Sequence, residues 1–258
     1  MKITVLTENI TENPIICAEH GLSLYIETDA HKILFDMGQT DLFYKNATIL
    51  GVDLAEVDIA ILSHGHYDHG GGLSTFLKIN NSAPVYISPY AFEPHYNGKE
   101  KYIGLDSSLQ GSSRLIFTAN TEIIDTSLSI HSYNDREMPN FLGSFGLTKR
   151  LGDEFIPDDF IHEQYLLIRE NGKRVLISGC SHKGIIDIVD WSCPDVLIGG
   201  FHLSKISDTA ELDKIANALS SHKASYYTCH CTGTAQYEYL KSKMPYLEYL
   251  SCGKVIEL

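Results

Sequence analysis

Apolar positions in this chain gather into short runs separated by polar turns, and the runs read as strands. Residues 2–7 form the first. Residues 21–28 and 32–36 form two more, joined by a turn at Asp29-Ala30-His31. Residues 41–51 show an amphipathic helix pattern that stops at Gly51. The run 57–62 is apolar and rich in β-branched residues, which predicts a buried strand. It leads into a glycine turn, Gly70-Gly71-Gly72, and then a helix over 73–77. Residues 84–88 are another short strand.

From about 89 to 160 the pattern weakens, and aromatic, Gly, Ser, Asn and Asp residues dominate. Strand-like pieces remain at 113–118, 121–125 and 128–132. A long weakly periodic stretch in a compact domain is expected to fold over a site as a pocket wall or lid. Regularity returns at 163. Residues 163–169 and 174–178 pair across Asn171-Gly172, a strong hairpin signal. A helix at 184–190, a strand at 195–200, a helix at 208–221, a strand at 225–229, a helix at 234–243 and a last strand at 254–257 complete the chain. Both halves run strands first and then strand–helix alternation. That plan fits an α/β domain over 1–258 with two sheets face to face and helices outside.

Composition narrows the function classes. Lys and Arg total 20 against 33 Asp and Glu, a net charge of −13. This argues against non-specific nucleic-acid binding, which needs a basic surface, but allows a local basic pocket. No apolar run nears the ~18–20 residues of a membrane span. The N-terminus reads as a strand rather than a signal peptide. Six cysteines, sparse and irregularly spaced, predict reduced thiols in a cytoplasmic protein.

The candidate chemistry sits after the 57–62 run. His64, His66, Asp68 and His69 fall within six residues at a strand end. Imidazoles with a carboxylate suit Zn²⁺ and similar divalent metals. Other predicted strands also end in histidine, at His182, His202 and His230. Strand ends on one sheet edge share one side of the fold, so these rings can converge. His202 is a candidate general acid or oxyanion contact. Glu8-Asn9 and Glu19-His20 are supporting or loop residues. His95, His131 and His162 are expected at the surface. Tyr67 is expected to pack, and so are Cys229 and Cys231, which point away from His230 if the strand continues. Lys99, Lys101, Lys149 and Arg150 are solvated or face an anionic substrate. Tyr90, Phe92, Tyr96 and Tyr102 pack the insertion or stack on a flat ring.

His64-Gly65-His66-Tyr67-Asp68-His69 resembles the H-x-H-x-D-H signature of the metallo-β-lactamase superfamily. Asp36-Met37-Gly38 resembles the turn that precedes it there. Gly179-Cys180-Ser181-His182, Gly199-Gly200-Phe201-His202-Leu203 and His230-Cys231-Thr232-Gly233 resemble its dihydropterin ribofuranosylaminobenzene phosphate synthase-like branch. The resemblance implies a four-layer αβ/βα sandwich with one or two metals at an edge, Zn²⁺ first, with Mn²⁺ or Fe²⁺ as alternatives. By that resemblance His64 and His66 bind the first metal, Asp68 and His69 the second, and His230 closes the second. Where many relatives carry a bridging Asp, this chain has Cys180. Either Cys180 takes that place, or no bridge exists and His182 completes the first metal, with His182 the favoured ligand. The implied activity is a hydrolase using metal-bound hydroxide on a small ester, lactone or phosphoester, with Asp68 and His202 as catalytic candidates. The alternatives are a pterin-related phosphate synthase using the metal as a Lewis acid, and a metal-binding sensor.

Overall fold

The computed structural model describes residues 1–258. Two seven-stranded sheets pack face to face. The first runs, edge to edge, Val255–Glu257, Lys2–Thr7, Ser23–Glu27, Lys32–Phe35, Ile59–Ile61, Val85–Ile87, Leu115–Phe117. The second runs Leu247–Tyr249, Ser225–Thr228, Val196–Gly199, Lys173–Ile177, Tyr165–Glu170, Leu128–His131, Thr121–Ile123.

Side-chain alternation explains the layering. Ile59 and Ile61 enter the core between the sheets, while Ala60 and Leu62 face outward. On the opposing sheet Val175 and Ile177 point inward and Leu176 outward. Both faces of such strands are buried, which is why they read as continuous apolar runs. The outward residues of the first sheet meet Phe43 and Ala47 of helix Leu42–Leu50 and Phe76 of helix Leu73–Ile79. Those of the second sheet meet helices Ile185–Ser192 and Thr209–Ser221. In Thr209–Ser221 the buried residues Leu212, Ile215, Ala216 and Leu219 form one stripe, and the Asp208 side chain caps the start by accepting from Ala210 N. The result is the αβ/βα sandwich.

The hairpin pairs Tyr165–Glu170 with Lys173–Ile177, and Asn171 and Gly172 both take positive φ, at 53° and 74°. The strand Leu247–Tyr249 carries no sequence signal of its own: two of its three residues are polar or half-exposed at a sheet edge. Segment 89–160 holds a small third sheet, in the order Glu154–Pro157, Leu147–Leu151, His95–Asn97, Lys101–Tyr102. Its aromatics pack on one another: Tyr96 lies 5.3 Å from Tyr102 and 4.9 Å from Phe155 between ring centres. Lys149 is buried there in ion pairs with Glu93 and Asp159, so it is neither solvated nor substrate-facing. No helix is long and apolar enough to cross a membrane, and all six cysteines are free.

Topology positions the site. Lys173–Ile177, Val196–Gly199 and Ser225–Thr228 run parallel. Their C-terminal turns, carrying His182, His202 and His230, therefore emerge on one edge. Lys32–Phe35 and Ile59–Ile61 are also parallel, so Asp36 and His64 emerge together on the facing sheet.

Candidate metal centre

The histidine motif begins where strand Ile59–Ile61 ends and curls into a single helical turn, Tyr67–Gly70. The following glycines let this turn press against residues 36–39. A Cβ on Gly71 would lie 2.2 Å from Gln39 O, and one on Gly72 2.2 Å from Met37 O. Met37 N donates to His69 O at 2.7 Å across the same seam. Overpacking of this kind costs about 1–3 kcal/mol. Gly71→Ala is expected to lose that much in urea unfolding, whereas Gly111→Ala, with nothing within 4 Å of its added Cβ, stays near wild type. Equal stability of the two variants would contradict the seam.

Asp36 anchors the motif. It is fully buried and has φ +59°. Its Oδ1 accepts from Ser63 N at 2.7 Å; its Oδ2 accepts from Ser63 Oγ at 2.7 Å and from His69 Nδ1 at 2.6 Å. Since Ser63 gives its proton to Asp36, its Oγ accepts from His64 Nδ1 at 2.8 Å. When neutral, as a bound metal requires, both rings are thereby held with Nδ1 protonated and an Nε2 lone pair facing inward.

Two more buried carboxylates clamp the other histidine turns. Glu163 Oε1 accepts from His182 N at 2.8 Å, and Glu8 Oε1 from His230 N at 2.6 Å. Burial pushes the Glu163 carboxyl up, opposed by Lys183 and its hydrogen bonds. Asn9 Oδ1 accepts from His230 Nδ1 at 2.9 Å, so His230 too turns an Nε2 lone pair inward.

The ligand atoms of His64, His66 and His182 lie within 4.8 Å of one another, as do those of His20, Asp68 and His230, and those of His64, His69 and Cys180. His69 Nε2 stands 3.1 Å from His230 Nε2 and 3.2 Å from Cys180 Sγ. Asp68 Oδ2 is 3.0 Å from His20 Nε2 and 3.3 Å from His230 Nε2. Burial, then the neighbouring rings, pushes His64 and His182 far below the usual histidine pKa, and burial does the same to His66. These three rings are therefore neutral and ready to ligate.

The donor set fits a divalent metal. Nε2 of His64, His66 and His182 are buried with no hydrogen-bond partner. The inward lone pairs of His69 and His230 face each other at 3.1 Å, and only a proton or a cation between them relieves that contact. His64, His66 and His182 would hold one ion. Asp68, His69 and His230, with His20 beside them, would hold a second. Burial opposes ionisation of Asp68, but His69, His20 and His230 outweigh it and hold its carboxyl far below the usual range.

A cavity of about 450 Å³ opens over this centre. Asp68, His182, His202 and His230 line it together with Lys101 and Lys205. His202 sits in the left-handed region at φ +53°, with its ring 4.1 Å from His182. Cys180 also lines the cavity, so the structure brings both Cys180 and His182 to the centre.

Several sequence expectations need correction. His95 and His162 are fully buried beside His66, not at the surface. Tyr67 packs as expected, against Ile103, Leu147 and Phe160, but it is helical rather than extended and also lines the cavity, where its OH accepts from Lys101 Nζ at 3.3 Å. The strand before His230 ends at Thr228, and a 3₁₀ turn over His230–Thr232 swings Cys231 into the cavity beside Cys180 and His202. Cys229 alone packs in the core. His20 joins the centre through contacts that no sequence spacing signals.

The sequence profile described as the metallo-beta-lactamase superfamily matches residues 18–219. An uncharacterized Methanocaldococcus jannaschii protein, MJ0448, is 31% identical over 267 residues, covering 98% of this chain and 99% of its own length. The 7,8-dihydropterin-6-methyl-4-(beta-D-ribofuranosyl)-aminobenzene-5'-phosphate synthase of the same organism is 28% identical over 287 residues, covering 100% of this chain and 96% of its own. Among solved structures, Tm1679, described as a metal-dependent hydrolase of the beta-lactamase superfamily, superposes with a TM-score of 0.86 at 29% identity, covering 100% of this chain and 99% of that one. Zn²⁺-bound PqqB from Methylobacterium extorquens shares the fold, with a TM-score of 0.61 at 10% identity over the full length of both chains.

Proposed function

Since the chain belongs to the metallo-beta-lactamase superfamily, we propose that it is a metal-dependent hydrolase of a small anionic ester, with phosphoesters first. The observation that carries this reading is the cavity, lined by metal-type ligands together with two lysines. Bound Zn²⁺ would polarise the substrate and lower the pKa of a water. Asp68 supplies an ionised carboxylate in the cavity that can accept a hydrogen bond from an attacking water and orient it. His202, whose Nδ1 is buried without a partner, can give a proton to the departing oxygen. Lys101 lies 5.3 Å over the Tyr67 ring, which sets its ammonium at the cavity for an anionic group. Six free thiols suit a reducing compartment.

The identity to a synthase supports a second reading, transfer between a pterin and a ribofuranosylaminobenzene phosphate. Both readings meet in one assay. Purified protein with Zn²⁺ or Mn²⁺ is offered a panel of phosphoesters, lactones and thioesters, and separately the two synthase partners. Metal-dependent cleavage is the expected result; a condensation product without cleavage would replace it. Loss of a charge-assisted hydrogen bond costs about 1.5–3 kcal/mol. Lys101→Ala is accordingly expected to raise KM for anionic substrates about tenfold or more, while leaving kcat near wild type.

A further inference from the structure

We propose that segment 89–160 and His162 just after it grip the metal loop and set its shape, with Asp158 acting through His162 on the peptide between His64 and His66. This deepens the metal-centre reading above and rests on it. His162 Nδ1 accepts from Gly65 N at 2.9 Å. Gly65 is the one residue separating two candidate ligands. A neutral ring that accepts at Nδ1 carries its proton on Nε2. His162 Nε2 lies 3.4 Å from Asp158 Oδ1, an electrostatic contact rather than a formed hydrogen bond. Asp158 Oδ1 also accepts from Phe160 N at 2.9 Å, and Oδ2 accepts from His95 Nδ1 at 2.7 Å. Asp158, His95 and His162 are all buried, and the two rings lie 4.0 Å apart. From the other side the segment closes on the same peptide: a Cβ on Gly65 would lie 2.2 Å from Ala91 O. The loop is therefore gripped between residue 91 and His162.

The pattern matches the other turns. Asp36 accepts from Ser63 N, Glu163 from His182 N and Glu8 from His230 N. Gly65 N completes the set, with an imidazole as its acceptor. Ligand atoms of His66, His95, Asp158 and His162 also lie within 4.8 Å of one another, as a buried third metal site would require. The protons argue against that use. A metal on His162 Nε2 needs a lone pair there, and the lone pair at Nδ1 is already engaged by Gly65 N. Both at once would require an imidazolate. Asp158 and His162 are therefore positioning residues.

The test compares His162→Leu with His162→Asn in the full chain. The asparagine Oδ1 stands close to where Nδ1 does and can still accept from Gly65 N. Two readouts are taken: protection of the Gly65 amide against hydrogen exchange in metal-free protein, and Zn²⁺ affinity by competition with a chromophoric chelator. Losing such a support typically costs 10–100-fold in metal affinity. His162→Leu is expected to lose Gly65 protection and bind Zn²⁺ 10–100-fold more weakly, as that precedent implies. His162→Asn is expected to keep the protection and most of the affinity. Wild-type protection of Gly65 in His162→Leu, or equal losses in both variants, would overturn the proposal. A Zn²⁺ equivalent present in wild type and missing only from the two His162 variants would replace it with a third metal site. If wild type binds no metal while Gly65 protection behaves as expected, the metal reading fails and the support stands.

Discussion

His182→Ala is expected to empty the first metal position, while Cys180→Ser leaves it filled. His182 is one of three buried imidazoles whose ligand atoms converge, and neither of its ring nitrogens has a hydrogen-bond partner. A neutral ring has one nitrogen lone pair, and nothing else in the fold competes for it. Its ring lies flat on Phe160, 4.3 Å between centres and 5° from parallel, and Glu163 holds its backbone N–H. The side chain is thus aimed by packing before any ion arrives, which is what preorganised ligation requires. Removing a direct ligand exceeds the 10–100-fold cost of removing a supporting contact. Cys180 Sγ instead lies against His69, between the two ligand groups. Serine there weakens only the second equivalent. Metal content after dialysis, with calorimetric titration of Zn²⁺ into each variant, distinguishes the two. The reverse pattern, with the first equivalent lost only in Cys180→Ser, would hand the first position to the thiol.

Asp36→Asn is expected to carry the largest effect of any change outside the direct ligands. Asparagine tolerates the left-handed backbone found at residue 36. Its shape is nearly that of aspartate, but one oxygen becomes a donor. Every group around Asp36 also donates: Ser63 N, Ser63 Oγ and His69 Nδ1. One donor must face another in a fully buried site, or His69 must shift its proton to Nε2 and lose its inward lone pair. If Ser63 turns away, His64 loses its support as well. An unsatisfied buried polar group costs about 1–3 kcal/mol. Unfolding stability should fall by about that amount, with metal affinity down by about 100-fold because two ligands are disturbed. Zinc competition within threefold of wild type would show that the carboxylate does not set the tautomers.

The sequence disclosed the near half of this site more readily than the far half. His64, His66, Asp68 and His69 sit in one turn, so their proximity is covalent. His182, His202 and His230 were legible only as strand ends, and parallel pairing of three strands made that inference sound. Cys231 was misread because period-two alternation was carried past the point where the strand stops. Alternation holds while the backbone is extended and fails at the first helical φ and ψ. His95, His162 and Asp158 were missed because a carboxylate that neutralises and orients two rings leaves no local pattern. His162 meets Gly65 across 97 positions of chain.

What the sequence determined by itself was the layered architecture and the kind of chemistry. Strands apolar on both faces must be covered on both, and clustered imidazoles beside a carboxylate select a divalent metal. What only the tertiary structure decided was which of the twelve histidines meet, and which nitrogen each one offers. A ring's free nitrogen is set by the partner of its other nitrogen. Those partners, Asp36 for His69 and Asn9 for His230, lie 33 and 221 positions away, where nothing short of the folded chain brings them into contact.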